Sequence, residues 1–99
     1  MPIAPKRYTD ETQRQRAAMG VWLRSLREEA GLSQRELADK LGFDYYTFIS
    51  QLENGRGRIP PVRYRDWALA LGLEPREFVV TLLSHVEPTT HAILFGEAG

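Results

Sequence analysis

The sequence points to an all-α domain of five helices followed by a short C-terminal tail. Three observations carry that class. Apolar residues recur at steps of three and four, the spacing of one helix face. Helix-starting residues and helix-ending glycines cut the chain into helix-length pieces with short connections, the pattern of a packed helical domain. No stretch before the tail alternates apolar and polar residues at period two, as a half-buried strand would.

Residues 1–9 contain Pro2 and Pro5 and read as a flexible arm. Thr9 is placed to cap a helix from about Asp10 to Ala30, whose early acids suit the positive helix start. Met19, Leu23, Leu26 and Ala30 form its apolar face, Gly20 weakens it, and Gly31 ends it. Ser33-Gln34-Arg35-Glu36 is a capping box opening a second helix to Leu41, with Leu37, Ala38 and Leu41 inward. A third helix runs over residues 45–53 with Ile49 and Leu52 inward, and Asn54-Gly55 stops it. Arg56–Pro60 is a loop. Pro60-Pro61 opens a fourth helix to about Leu71 with Tyr64, Trp67, Ala68 and Leu71 as its buried stripe. Glu74-Pro75 begins a fifth, ending near His85. The tail, residues 87–99, holds Ala92-Ile93-Leu94-Phe95 and reads as strand or coil. The working division is an arm over 1–9, a domain over 10–86 and a tail over 87–99.

Composition narrows the function classes. The chain has no Cys, which excludes a disulfide framework and any Cys-based zinc site. No apolar run approaches the roughly 20 residues that span a bilayer, and the opening residues lack the apolar stretch of a signal peptide. A cytoplasmic protein without membrane attachment is expected. Net charge is zero, with 13 basic and 13 acidic side chains. The balance is polar along the chain: residues 1–65 hold 12 basic and 8 acidic groups, residues 66–99 one and five. Asn54–Arg65 carries four arginines and no acid. A solvated loop and a phosphate-contacting stripe both fit such a cluster.

The segment LSQRELADKLGFDYYTFISQLENG, Leu32–Gly55, joins a capped helix, a glycine turn and a second short helix ending in Glu-Asn-Gly. It resembles the helix-turn-helix of lambdoid phage repressor and Cro proteins, the xenobiotic-response-element type of regulator. Leu23–Gly31 is similar to that family's first helix and Trp67–Leu73 to its fourth; the likeness spans roughly Met19–Leu83. It implies a lambda-repressor-like fold and sequence-specific binding of double-stranded DNA, with repression the commoner outcome. The turn Gly42–Tyr46 holds one residue more than the family pattern. Alignment from the Glu-Asn-Gly end puts Tyr46, Thr47 and Phe48 at the start of the recognition helix.

A helix with a polar outer face fits the major groove, about 12 Å wide. On the face opposite Ile49 and Leu52 stand Tyr46, Thr47, Ser50 and Gln51, the candidate base-contacting residues. The Gln51 amide can pair bidentately with adenine, and Thr47 can meet a thymine methyl. By the resemblance, Gln51, Thr47 and Tyr46 match base-reading positions. Phe48 either packs inward or presents its ring to DNA; Phe43 and Tyr45 are expected to wedge the longer turn. Candidate phosphate contacts are Gln34, which matches a backbone-contacting glutamine of the family, Asn54, Arg56, Arg58 and Arg63, with Arg65 as an extension. Arg27 and Glu53 match a structural ion pair that orients the recognition helix.

Catalytic constellations do not emerge: His85 and His91 lack clustered acids, and no glycine-rich phosphate loop is present. No enzyme activity, cofactor, metal or small-molecule ligand is expected. The alternative reading is a protein-interaction module on the same fold, such as an antitoxin-like or polymerase-binding protein. A homodimer is expected, because one helix-turn-helix reads few base pairs and two copies can occupy half-sites about 34–36 Å apart. Phe78, Val79, Val80, Leu82, Leu83 and Val86 encircle the fifth helix more widely than one buried face needs. That excess, with Ile93, Leu94 and Phe95, is covered either by the tail folding back or by a second copy.

Overall fold

The computed structural model describes residues 3–96. Among them are six α-helices and no strand: α1 (Ile3–Glu29), α2 (Gln34–Leu41), α3 (Thr47–Glu53), α4 (Tyr64–Ala70), α5 (Pro75–Val86) and α6 (Pro88–Phe95). A single 3-10 turn, Pro61–Arg63, leads directly into α4.

The two largest departures from the sequence expectation have physical reasons. The first helix begins at Ile3, not near Asp10. Pro5 falls in its first turn, where backbone N–H groups have no intrahelical acceptor, so the proline removes no hydrogen bond. Asp10 and Glu11 therefore lie inside the helix, and Glu11 accepts from Arg14 and Gln15, each at 3.4 Å. Met1 and Pro2 of the expected arm lie outside the described residues. The tail forms α6, neither strand nor coil. Pro88 stands at its first position, and the Thr90 hydroxyl donates to Glu87 Oε1 at 3.3 Å. Four apolar residues in a row carry no usable period; packing of α6 against α5 decides the matter. Residues 97–99 of the tail are outside the description.

The remaining elements follow local chemistry. Ser33 is extended and caps α2: its Oγ accepts from the Glu36 N–H at 3.0 Å, and its own N–H donates to Glu36 Oε1 at 2.8 Å. These bonds hold the Glu36 pKa below its ordinary value. At α5, Pro75 takes the first position and the Glu74 carboxylate accepts from the Glu77 N–H at 3.0 Å.

The core joins Met19 and Leu23 of α1, Leu37, Ala38 and Leu41 of α2, Ile49 and Leu52 of α3, Trp67 and Ala68 of α4, and Phe78 and Leu82 of α5. Ile59, within the segment read as a loop, is 2% exposed and pins the 56–60 segment to this core. Trp22 stacks on Phe78 at 5.3 Å and meets the His85 ring at 5.1 Å. Burial there lowers the His85 pKa from its ordinary value.

Gly20 does not break α1. It is the point of closest approach between α1 and the end of α3. A Cβ there would lie 2.5 Å from the Leu52 carbonyl oxygen and 2.6 Å from that of Glu53. Glycine inside a helix costs up to about 1 kcal/mol relative to alanine, and here it permits a backbone contact that no other residue allows. Gly55 repeats the device with a left-handed φ of +80° and a Cβ position 3.1 Å from Ala17 Cα. The long helix thus lies directly against the end of α3 and the residue that terminates it.

Candidate nucleic-acid interface

α3 is short, but its two sides differ sharply. Ile49 and Leu52 are fully buried, while Thr47 and Gln51 are exposed and Ser50 is half-buried. Tyr46, at the cap position, is 50% exposed. Thr47 and Gln51, one turn apart, therefore share the outward side of the helix, with Tyr46 just before its start and Ser50 half-buried beside them. The helix starts at Thr47, two residues later than the 45–53 span expected, because its first internal bond runs from the Ser50 N–H to the Tyr46 carbonyl at 3.1 Å. Tyr46 is thus half outside the helix and Tyr45 wholly outside.

The long turn is held by Phe43 and not by Tyr45. The Phe43 ring meets Phe48 edge-on at 5.6 Å, and the Phe43 N–H donates to the Ala38 carbonyl at 2.9 Å. Arg35 donates to the Asp44 carbonyl at 3.2 Å. Tyr45, expected as a wedge, is 73% exposed instead, and the inside of the turn is taken by the Phe43–Phe48 pair. Phe48 accordingly packs inward and does not present its ring outward.

Behind the recognition face lies a buried polar node. Arg27 grips Glu53 with two hydrogen bonds, Nε to Oε2 at 2.7 Å and Nη2 to Oε1 at 3.0 Å. Its Nη1 donates to the Leu32 carbonyl at 2.8 Å. The two side chains are 10% and 5% exposed. Hydrogen bonding to Glu53 raises the Arg27 pKa above its ordinary value. One arginine thus ties α1 to the end of α3 and to the connection before α2, the structural role its sequence position implied.

Gln34, expected at a phosphate, donates its amide to Glu53 Oε1 at 3.0 Å. It is half-buried and belongs to the node, with part of its edge left open. Asn54 Nδ2 donates back to the Ser50 carbonyl at 3.0 Å and so finishes α3. Arg63 departs furthest from expectation. Its Nη2 donates to the Leu41 carbonyl at 2.6 Å, its Nε lies 3.1 Å from Asp66 Oδ2, and its guanidinium sits 5.0 Å from the Phe43 ring centre. The α2 C-terminus, an acid and an aromatic face together hold it, so Arg63 braces the turn. Arg56 and Arg58 stand exposed on the loop after α3.

Two participants escaped sequence reasoning. Gln13 donates to the Gly55 carbonyl at 3.1 Å, fastening α1 to the end of α3. Gly20 provides the close crossing; its signal was present, since a costly glycine between good helix formers marks a backbone approach. Among the described residues no helix is long and apolar enough to cross a membrane, and no group of three or more His, Asp or Glu is placed to hold a metal ion.

A capped helix, a tight aromatic-braced turn and an anchored second helix with a polar outward face constitute a helix-turn-helix DNA-binding domain. The chain belongs to the helix-turn-helix domain family, whose model matches residues 18–79. Its fold is similar to that of the restriction-modification controller protein C.AhdI from Aeromonas hydrophila. The two share 35% identity and a TM-score of 0.55 over 72% of this chain and 98% of that one. No curated protein sequence matches the chain. The protein is thus a DNA-binding transcriptional regulator of the helix-turn-helix type, a class that is typically non-enzymatic.

Proposed function

We propose that the protein binds duplex DNA sequence-specifically by laying α3 in the major groove, and that it represses the promoter it occupies. The observation that carries this reading is the sidedness of α3: Tyr46, Thr47 and Gln51 outward over a fully buried Ile49 and Leu52. Gln51 is the principal base reader. Arg56 and Arg58 contact phosphates on the loop that follows. Gln34 keeps its open edge toward the backbone while its amide stabilises Glu53, and Asn54 acts by ending the helix. Repression follows from a small domain occupying promoter DNA.

The protein acts as a homodimer. α6 folds back on α5, yet leaves Ile93, Leu94 and Phe95 exposed at 78%, 62% and 42%. Apolar residues presented together on a terminal helix suit a second copy across a two-fold axis. The similarity to a restriction-modification controller supports control of genes of that kind.

Gel retardation with genomic fragments, followed by footprinting, tests the reading. Gln51→Ala should cost about 1–3 kcal/mol on the preferred site and relax preference at one or two base pairs. Arg56→Ala should weaken all sequences alike. A Gln51→Ala protein with its sequence preference intact would remove α3 from the groove.

A further inference from the structure

The N-terminal half of α1 lies outside the matched family segment, which begins at residue 18. It is nevertheless tied to the DNA-facing part of the molecule. Gln13 holds the Gly55 carbonyl, and Ala17 lies against Gly55 itself. On the same stretch, Thr12, Gln15 and Arg16 line a cleft of about 100 Å³ together with Arg58, Val86 and Glu87. Arg58 is carried on the loop that Ile59 anchors in the core, so both arginines project from fixed backbone.

Neither Arg16 nor Arg58 has a hydrogen-bond or ion-pair partner among the described residues. The one acid in the cleft, Glu87, makes no ion pair with either; its carboxylate accepts from Thr90. Two unpaired guanidinium groups lining one cleft favour an anion, which gains charge-assisted hydrogen bonds from both on entering between them. The guanidinium fork matches phosphate oxygens in particular. Thr12 adds a hydroxyl to the same lining, while the Gln15 amide already donates to Glu11.

We infer that this cleft clamps one phosphodiester phosphate of the bound DNA, with Arg16 and Arg58 as its two jaws, so that the extension of α1 lengthens the DNA footprint beyond the helix-turn-helix. The inference rests on the DNA-binding reading, and its partner is the backbone of the same duplex that α3 reads. The contact is indifferent to sequence. It adds affinity and salt dependence and leaves base preference untouched.

The test compares the full-length protein with Arg16→Gln, Arg58→Gln and the double variant, on the footprinted site and on a random-sequence duplex longer than the footprint. Log affinity is measured against log salt concentration. Loss of one phosphate contact reduces the slope by about 0.9, so between 50 and 200 mM salt the variant loses about 3.5-fold less affinity than the wild type. Arg16→Gln should show that change equally on both duplexes, with the melting temperature unchanged. Arg16→Lys, which keeps the charge, should restore the slope. The double variant should lose little more slope than either single one, because both arginines hold one phosphate. An unchanged slope in Arg16→Gln with wild-type DNA binding normal would overturn the clamp alone. So would additive losses in the double variant, or inorganic phosphate shifting the arginine side-chain NMR signals while the DNA slope stays fixed. Absence of salt-dependent DNA binding by the wild type would overturn the regulatory reading and the clamp with it.

Discussion

Replacing Gly20 by alanine sets two effects of opposite sign against each other. In an isolated helix the change is favourable by about 1 kcal/mol, since alanine loses less backbone entropy. In this protein the new Cβ would sit 2.5 Å and 2.6 Å from two backbone carbonyl oxygens and 2.9 Å from the Glu53 carbonyl carbon. None of these atoms is the end of a flexible side chain. Relief requires α1 and α3 to part by several tenths of an ångström, next to Ile49 and Leu52, which have no exposed surface. Overpacking of this kind costs about 1–3 kcal/mol, and two rigid oxygens place Gly20→Ala at the upper end. The net expectation is destabilisation by about 2 kcal/mol, which in a domain of this size lowers the melting temperature by about 8–16 °C. Circular dichroism melting and urea titration measure it. Ala18→Gly, on the exposed side of the same helix, is the control for propensity alone and should cost about 1 kcal/mol. The displaced α3 should also bind its DNA site more weakly at temperatures where the variant is still folded. A Gly20→Ala protein as stable as the wild type, or more so, would refute the argument that close backbone packing keeps glycine at this position.

Arg27→Ala should cost about 3–5 kcal/mol by leaving Glu53 buried without its partner. Arg27→Lys should recover only part, because a single ammonium cannot reproduce the fork that spans Glu53 and the Leu32 carbonyl; unfolding curves that match the wild type would deny the node its role. Stability should be flat from pH 8 to the ordinary histidine pKa of about 6.5. Below it stability should fall, because His85 has a lowered pKa and the unfolded chain then binds more protons than the folded one. A second decline should set in below the ordinary glutamate range as protonation of Glu36 opens the capping box. His85→Gln should abolish the first decline and Glu36→Gln the second, as read by chemical denaturation across pH. Light scattering at micromolar concentration should give a dimer for the full chain and a monomer after truncation at Val86; a monomer in both would place no interface on α6.

Much of the interface was already written in residue order. Ser33 and Glu36 declare a helix start because a hydroxyl and a carboxylate three positions apart satisfy each other's backbone donors. Glu53-Asn54-Gly55 declares a helix end, and the apolar pair Ile49 and Leu52 decides which side of α3 faces outward. These are local rules, acting over one or two turns, so sequence alone determines them. Other outcomes depended on what arrived from elsewhere in the fold. Arg63 looked free until the α2 C-terminus, Asp66 and the Phe43 ring closed around it. Tyr45 and Phe43 have similar local claims on the turn, and the position of Phe48 chose between them. Residues 3–9 joined α1 because a proline in a first turn breaks no bond, and Ala92–Phe95 became helical because α5 offered a surface. Sequence determined the helix-turn-helix through short-range hydrogen bonding and apolar spacing. Only tertiary structure decided which of its arginines remain unpaired, because that depends on which acids, carbonyls and rings come within about 3–5 Å of each after distant segments have packed.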